Sequence, residues 1–397
     1  MNHLAPQNSV RDPIRWGAYL ACSWTWCIGM FLPILLLREM GWAGYGIFAL
    51  PNMIGAAAMG WMIKTRSDSV RFVEHHARAI WWFSAVTLAF HLYWIFWLSS
   101  FLPRALGMPS NHLAGGIGFV CVFALIVSWT AHRGKAQKTA LGLLVLSLIV
   151  LLGTFFSSGL QEAHVSLLKS ASQSADAFWM LPVMLFGFLL CPYLDITFHH
   201  ARQQLDSAQK GRLGFTLGFM VFFPFMIFLT TRYAGLLAGA MTGEGTIPTL
   251  HPWLAIGILL HIFCQWVFTV TVHLDRIRTI PSVGSKKILL VVLLILAGIV
   301  GALILGAPAY RGLLAGEIGY RLFMSAYGLA FPAYVLYRVI TQRKKAVGNS
   351  YMMWIAMALT TPFFWMGFIE RQALWLVPGM ALILVGALIQ PKKRITT

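Results

Sequence analysis

Four polar residues recur at every fourth position of one apolar stretch: His261, Gln265, Thr269 and His273. In an α-helix of about 3.6 residues per turn, this spacing places the four side chains along one face. Such groups can bind a solute, relay a proton or line a hydrated path. They can equally hold helices together by hydrogen bonds across a helix interface. Both roles require that this face points away from lipid.

A second polar face lies in the stretch "IWWFSAVTLAFHLYWIFW" (80–97), where Ser84, Thr87 and His91 stand at positions i, i+3 and i+7. The spacing again predicts one helix face. An imidazole in the middle of an apolar helix can bind a solute or carry a proton, or it can hydrogen-bond to a neighbouring carbonyl. We therefore name His91 and His261 as paired candidate binding residues.

A third candidate is "FGFLLCPYLDITFHHARQQ" (186–204), which begins apolar and ends polar. Pro192 removes a backbone donor and Gly187 permits bending, so the pattern predicts an interrupted helix whose freed backbone groups can bind a ligand. Asp195 and His199 stand at i and i+4 and are expected to share a hydrogen bond and titrate together. The alternative is a helix end whose charges lie at the membrane surface.

The elements that position these residues are membrane-spanning helices. The 397-residue chain is 58% hydrophobic and 11% charged, with a mean hydropathy of +0.73, which is typical of polytopic membrane proteins. We predict an all-α, polytopic fold in a single transmembrane domain. Its expected spans, about twelve, are 15–37, 41–63, 79–102, 112–132, 138–158, 174–200, 212–232, 249–274, 286–307, 315–338, 351–369 and 371–390. Segments 64–79 and 159–173 are expected to form helices along the membrane surface.

The chain has a net charge of +18, and its basic residues are unevenly distributed among the predicted loops. Most of the 30 Lys and Arg residues fall on alternate connections, which the positive-inside rule assigns to the cytoplasm together with both termini. We predict an integral protein of a bacterial cytoplasmic membrane that contacts lipid and binds no nucleic acid; the sequence leaves its oligomeric state open. The five cysteines all fall inside predicted spans, so no disulfide is expected.

Spans one and six carry matching interruptions. Span one has Gly29 and Pro33 in "YLACSWTWCIGMFLPILLL", and span six has Gly187 and Pro192. Such paired breaks are typical of transporters built from two inverted repeats. We predict a first repeat at about 15–158, a second at about 174–338, and two further helices at about 351–390. Two six-span halves are the alternative, although the connection 201–211 is short for that plan.

This arrangement resembles the superfamily of amino acid, polyamine and organocation transporters and sodium–solute symporters. "GYGIFALPNMIG" (44–55) is similar to the glycine-rich string of amino acid permeases, although here it falls in the second span. "CPYLDITFHHA" (191–201) is similar to the sixth-helix Pro-His stretch of Nramp metal transporters, whose first-helix Asp-Pro-Gly string is missing here. The resemblance implies a sodium site made by Thr269 and the carbonyls near Trp26 to Gly29.

Together these features predict a secondary transporter of a small polar or organic solute, coupled to sodium or protons, that alternates access around spans one and six. No organic cofactor is expected, and sodium is the candidate bound ion. Coupling is expected at Asp195, His199 and Thr269. The candidate solute-binding residues are Trp24, Trp26, Gly29, Pro33, His91, Gly187, Pro192, His261 and Gln265.

Two other function classes stay open on the sequence. A transporter-like fold also serves membrane sensors and assembly factors. A metalloenzyme is the third class, because several residues that could ligate a metal fall near the inner boundary: His75, His76, His132, His199, His200 and His273, together with Glu74, Asp195 and Asp275. Adjacent histidines on a helix point about 100° apart and seldom bind one ion, and the spaced histidine boxes of membrane oxidases are missing. We therefore predict no metal site and no catalytic residue.

Overall fold

The structure is a computed structural model that describes residues 11–108, 136–171, 174–243, 247–280, 286–304, 307–341 and 350–389. Within these ranges the backbone is helical, and its β-structure is limited to an isolated bridge between Tyr310 and Leu313. The predicted all-α class is confirmed. The fourth predicted span, 112–132, lies outside the described residues.

The described helices are numbered here in chain order. They are α1 (Arg11–Trp24), α2 (Cys27–Met62), α3 (Arg66–Leu98), α4 (Leu102–Ala105), α5 (Ala136–Thr154), α6 (Ser158–Ser170), α7 (Asp176–Leu190), α8 (Ile196–Gln204), α9 (Ala208–Arg232), α10 (Ala234–Thr242), α11 (Pro252–Ile277), α12 (Lys287–Leu303), α13 (Ala315–Ile340), α14 (Ser350–Phe368) and α15 (Leu376–Leu388). Wide, π-helical turns interrupt α9 at Leu217–Phe222 and α13 at Ala326–Ala330 and Leu336–Ile340.

Seven of the described helices are long and apolar enough to cross a membrane: α2, α3, α5, α7 with the turn that follows it, α9, α11 and α13. The shorter apolar helices α12 and the Ala373–Leu388 segment add to this apolar bundle. The chain is thus a polytopic integral membrane protein. The count of twelve spans and the division into repeats stay predictions.

Sharp bends mark two of the predicted boundaries. Helix α2 covers the outer half of span one and all of span two, and its backbone leaves helical geometry at Gly41, where the boundary between the two spans is predicted. Gly41 has φ +59° and ψ −148°, a conformation that side chains with a Cβ rarely adopt, so glycine allows the bend there. The segment predicted as a surface helix at 64–79 is helical from Arg66 and is separated from the rest of α3 by a kink at His76; its position along the membrane surface stays a prediction. The second predicted surface helix is α6.

Gly55 explains part of the glycine-rich string in α2. It faces α7 so closely that a Cβ added there would lie 2.8 Å from the Leu189 Cα atom, whereas a Cβ at Gly46 would meet nothing within 4 Å. The glycine therefore lets α2 approach the backbone of α7 just before α7 ends.

Gly55→Ala is accordingly expected to lower the free energy of unfolding by about 1–3 kcal/mol, because it forces packed backbones apart. Gly46→Ala, on the same helix, is the matched control and should leave stability unchanged or slightly higher. The measurement is unfolding by sodium dodecyl sulfate in mixed micelles, followed by circular dichroism. Equal stability of the two variants would contradict this account of the string.

Candidate functional site

The first interruption lies between α1 and α2, at Thr25 and Trp26. Trp26 is extended, with φ −77° and ψ −176°. The predicted position is therefore wrong by several residues: Gly29 and Pro33 lie inside α2, where the helix continues past both. The sequence "SWTW" breaks the helix instead, because Ser and Thr hydroxyls and the Trp indole compete for backbone partners.

The carbonyls exposed at the end of α1 all have partners. The Ala21 carbonyl accepts from the Thr25 amide at 2.9 Å and the Thr25 hydroxyl at 2.8 Å. The indole N–H and the backbone N–H of Trp26 donate to the Ser23 and Trp24 carbonyls. The Cys22 carbonyl accepts from two α11 side chains, the Gln265 amide and the Thr269 hydroxyl. The break is thus held open by side chains that take the place of a continuing helix.

The oxygens expected to bind sodium have protein partners as well. Thr269 donates to the Cys22 carbonyl at 3.3 Å, and the Trp26 carbonyl accepts from the Met30 amide at 2.8 Å. The Gly29 carbonyl accepts from the Thr230 hydroxyl at 3.1 Å. Sodium coordination would have to compete with these bonds in the present conformation. A sodium site here stays a prediction.

The second interruption confirms the break predicted at Pro192. Helix α7 ends at Leu190, a single 3₁₀ turn covers Cys191–Leu194, and α8 begins after Asp195. Asp195 is extended and caps α8: its Oδ1 accepts from the Thr197 amide at 2.7 Å and from the Thr197 hydroxyl at 2.6 Å. Gly187 lies within α7, where a Cβ would come 2.9 Å from the Tyr327 carbonyl oxygen.

The side chains of Asp195 and His199 do not hydrogen-bond to each other, so the predicted side-chain pairing of these two residues is wrong; the His199 amide donates to the Asp195 carbonyl at 3.2 Å as part of the helix. The His199 ring donates from Nε2 to the Tyr193 carbonyl at 3.0 Å, and its Nδ1 accepts from the Ser69 hydroxyl at 2.9 Å. The group facing Asp195 is His273 of α11, whose Nε2 lies 3.8 Å from Asp195 Oδ2. Both side chains are fully buried. The Asp195 cap turns one carboxylate oxygen inward, and α11 brings the imidazole to it.

A cavity of about 60 Å³ lies between the two interruptions. Trp24 and Trp26 line it from the first break, and Gly187 and Cys191 line it from the second. Its remaining walls are mostly apolar side chains of α2, α7 and α13, among them Met180, Met184, Tyr320, Met324 and Tyr327. Three of the predicted solute-binding residues, Trp24, Trp26 and Gly187, therefore meet at one cavity.

The other predicted binding residues do not line this cavity. His91 donates from Nδ1 to the Thr87 carbonyl at 2.7 Å, and His261 shares a hydrogen bond of 2.9 Å with the Ser147 hydroxyl. Gln265 is bound to the Cys22 carbonyl. Gly29, Pro33 and Pro192 act through the backbone. These residues shape the elements around the cavity, and their contact with a solute stays a prediction.

The cavity is bounded at its outer end, the end predicted to face away from the cytoplasm, by a charge network that the sequence reading missed. Arg321 of α13 donates to Glu317 at 2.7 and 3.0 Å and to Glu39 of α2. Arg38 donates to Glu317 at 2.6 Å. Glu39 and Arg321 also line the cavity. The i, i+4 spacing of Glu317 and Arg321 was a visible signal, but the partners on α2 were not.

Asn52 is another missed residue. Its side-chain oxygen accepts from the Trp24 indole N–H, and Asn52 also lines the cavity. At 1% exposure on an apolar helix, its amide must find partners inside the bundle. The sequence signal for Asn52 is a single asparagine inside the apolar stretch "FALPNMIG" (48–55), which indicates a buried polar contact.

Within the described ranges, the structure contains no group of three His, Cys, Asp or Glu side chains that could hold a metal ion. The described cysteines, Cys22, Cys27, Cys191 and Cys264, are unpaired thiols. Cys121 and His132 lie outside the described residues.

The Tyr310 hydrogen bond, together with the Trp365 hydrogen bond and the nearby Arg311 charge, holds the pKa of the Glu370 carboxyl below its usual range. Glu370 lies in the connection between α14 and α15.

No protein-family model and no curated protein sequence matches the chain. Among solved structures, the chain is similar to Mhp1, a nucleobase-cation-symport-1 family transporter, in a closed conformation with bromovinylhydantoin bound. The superposition has a TM-score of 0.49 at 11% sequence identity and covers 94% of this chain and 91% of that chain.

Proposed function

We propose that this protein is a secondary transporter of a small organic solute. The observation that carries the proposal is that the interruptions of two membrane helices meet at one cavity, lined by Trp24 and Trp26 on one side and Gly187 and Cys191 on the other. Paired interruptions near the middle of a membrane protein serve transporters as the place where a solute is held and released.

The walls of the cavity indicate the class of solute. Aliphatic, aromatic and thioether side chains make up most of the lining, with Asn52 and the Glu39–Arg321 pair as the main polar groups. Such a lining favours a solute with an apolar or aromatic body and one or two polar groups. A strongly hydrated sugar or inorganic ion would lose its water there without replacement.

Transport also needs ends that open in turn. At the outer end the Glu39–Arg321–Glu317–Arg38 network joins α2 to α13. At the inner end Arg202 joins the turn after α2 to the turn after α8. The cavity volume of about 60 Å³ is well below the ~300–1,000 Å³ usual for solute pockets, so the cavity has to widen before it can hold a solute.

The test is a thermal-shift screen of the purified protein in detergent against a library of small organic solutes, with and without sodium, across about pH 5 to 8. A solute that binds the folded state raises its stability by mass action, by about 2.7 kcal/mol at 100 times its Kd. Each stabilising solute is then tested for uptake into proteoliposomes under a sodium or a proton gradient. Binding without uptake would indicate a sensor, and would overturn the proposal.

A variant pair locates the binding site. Val183→Phe fills the cavity from α7 and is expected to abolish the solute-dependent shift in melting temperature. Leu185→Phe places the same ring on the same helix at a side chain that is 38% exposed on the lipid-facing side, and should keep the shift. Size-exclusion profiles establish that both variants fold. A full shift in Val183→Phe would place the solute elsewhere.

A further inference from the structure

The interior of the bundle holds polar atoms that neighbouring helices do not satisfy. Within the part of the chain that the structure describes, both ring nitrogens of His273 and the Oδ2 atom of Asp195 have no hydrogen-bond partner. Both residues are fully buried. An unsatisfied polar atom in such a place costs roughly 1–3 kcal/mol. Other buried atoms lack partners too, among them His91 Nε2 and His261 Nε2, but Asp195 and His273 are oppositely chargeable groups that face each other.

The geometry of the two residues points to one shared charge. Asp195 Oδ1 is occupied by Thr197, which fixes the carboxylate and leaves Oδ2 directed at His273 Nε2 at 3.8 Å. At this distance a protonated imidazole and a carboxylate attract strongly in a low-dielectric interior. A neutral imidazole offers the carboxylate no compensating charge, and a lone buried carboxylate is costly.

We infer that Asp195 and His273 hold one proton between them and that this proton is the coupling ion of the protein; the second half of this inference rests on the proposed transport function. When the proton arrives from water, a new N–H bond forms on His273 and the charge pair draws α11 toward the first turn of α8. When that N–H bond breaks and the proton returns to water on the other side, the attraction is lost.

The position of Asp195 converts this change of charge into movement. Asp195 caps α8 and ends the turn Cys191–Leu194, so it is the hinge residue of the second interruption. The Trp26 ring of the first interruption packs edge-on against the His273 ring, with centroids 5.6 Å apart. One proton therefore acts on both interruptions at the same point.

Other titratable groups surround Asp195 and His273, and a test of the pair has to distinguish its change of charge from theirs. His91 faces His273 from α3, Tyr19 and Tyr327 face Asp195 from α1 and α13, and His199 and His200 follow on α8. His91 donates to the Thr87 carbonyl, the Tyr327 hydroxyl bonds to Thr87, and His199 is bound by Ser69 and Tyr193. Arg276 pairs with Asp275 and His200 at the inner end of α11.

The test measures how readily water reaches the second interruption, using Cys191 as the reporter. Its thiol is 2% exposed and donates to the Tyr327 carbonyl at 3.2 Å, and it lines the cavity. The full-length protein is reacted with a hydrophilic maleimide at about pH 5 and about pH 8. Peptide mass spectrometry gives the rate at Cys191, and the unfolded protein at each pH corrects for the reactivity of the thiol itself.

The corrected rate in the wild type is expected to rise by roughly 5- to 150-fold from the lower to the higher pH, the usual range for coupling between two sites. Asp195→Asn and His273→Gln should each abolish this dependence on pH. His261→Gln is the matched control, since His261 is an equally buried histidine of the same helix, about three turns away, and should retain it.

A dependence on pH that persists in Asp195→Asn and His273→Gln, or that has the opposite sign, would overturn the inference. Asp195→Asn keeps an oxygen to cap α8, so it tests the charge without removing the cap. Measurements in sodium and in potassium buffer separate a sodium-driven opening from a proton-driven one. Because no solute is needed, the two failures are distinguishable: a failed uptake assay overturns the proposed function and with it the coupling role of the proton, whereas a flat wild-type rate overturns the shared proton site and leaves the proposed function standing.

Discussion

Replacing Arg321 with methionine is expected to lower the free energy of unfolding by about 3–5 kcal/mol. The Arg321 guanidinium donates to Glu317, Glu39 and the Phe368 carbonyl, and it is 7% exposed. Glu317 is 1% exposed and Glu39 is 9% exposed, so the substitution leaves two buried carboxylates with only Arg38 as a counter-charge. Breaking a buried ion network from one side strands its other charges in a medium that solvates them poorly.

The measurement is unfolding by sodium dodecyl sulfate in mixed micelles, compared with Arg71→Met. Arg71 also pairs with a carboxylate, Asp68 at 2.7 Å, but its side chain is 69% exposed, so little change is expected there. The double variant Arg321→Met/Glu317→Leu should recover part of the lost stability, because it removes a stranded charge as well. An Arg321→Met protein as stable as Arg71→Met would mean that water reaches this network freely.

The sequence predicts the elements of this protein better than their contacts. Apolar stretches of about 20 residues give most helices to within a few positions, because lipid demands apolar side chains and satisfied backbones over a fixed length. Pro192 marks the second interruption, since proline cannot donate to the helix. At Gly41 the backbone turns between predicted spans one and two, as the span boundaries indicate, but hydropathy does not report the direction of the turn.

The first interruption shows why a break can be misplaced. Gly29 and Pro33 are the residues that usually break helices, yet both lie inside α2. Proline costs a helix one backbone bond, and packing inside a bundle can absorb that cost. The local "SWTW" side chains open the break at Thr25 and Trp26, and Gln265 and Thr269 of α11 stabilise it by satisfying the Cys22 carbonyl. Those partners come from a helix about 240 residues further along the chain, which no local pattern reveals.

In the candidate site too, the sequence indicates which residues matter better than it indicates which residues they contact. Asp195 and His273 were each visible as polar residues in apolar surroundings, and so was the helical face that carries His273. Local spacing paired Asp195 with His199, four residues away, whereas tertiary packing pairs it with His273. The residue types were therefore readable from the sequence, and their partners were not. Arg202 is a third case, because the sequence places it among ordinary inner basic residues.

Arg202 lies at the inner end of the bundle and joins two turns. Its side chain is 1% exposed. The guanidinium donates to the Ile63 carbonyl at 2.9 Å and the Lys64 carbonyl at 2.6 Å, which end α2, and to the Leu205 carbonyl at 2.7 Å, which ends α8. Carbonyls at helix C-termini carry partial negative charge, so one cation holds both helix ends together. Gly211 makes room for it, since a Cβ there would lie 2.9 Å from the Arg202 Cζ atom.

Arg202→Ala is therefore expected to lower the free energy of unfolding by about 1.5–3 kcal/mol and to raise the rate of maleimide labelling at Cys191. Arg202→Lys should behave almost like Arg202→Ala, because one ammonium group cannot bond both turns in the geometry of a planar guanidinium. Gly211→Ala leaves the arginine in place but displaces its head group, and should raise labelling as well. Arg78→Ala, at an exposed inner position, is the matched control. Unchanged labelling in Arg202→Ala, Arg202→Lys and Gly211→Ala would mean that Arg202 stabilises the turns without closing the path to the cavity. Another contact would then close the inner end.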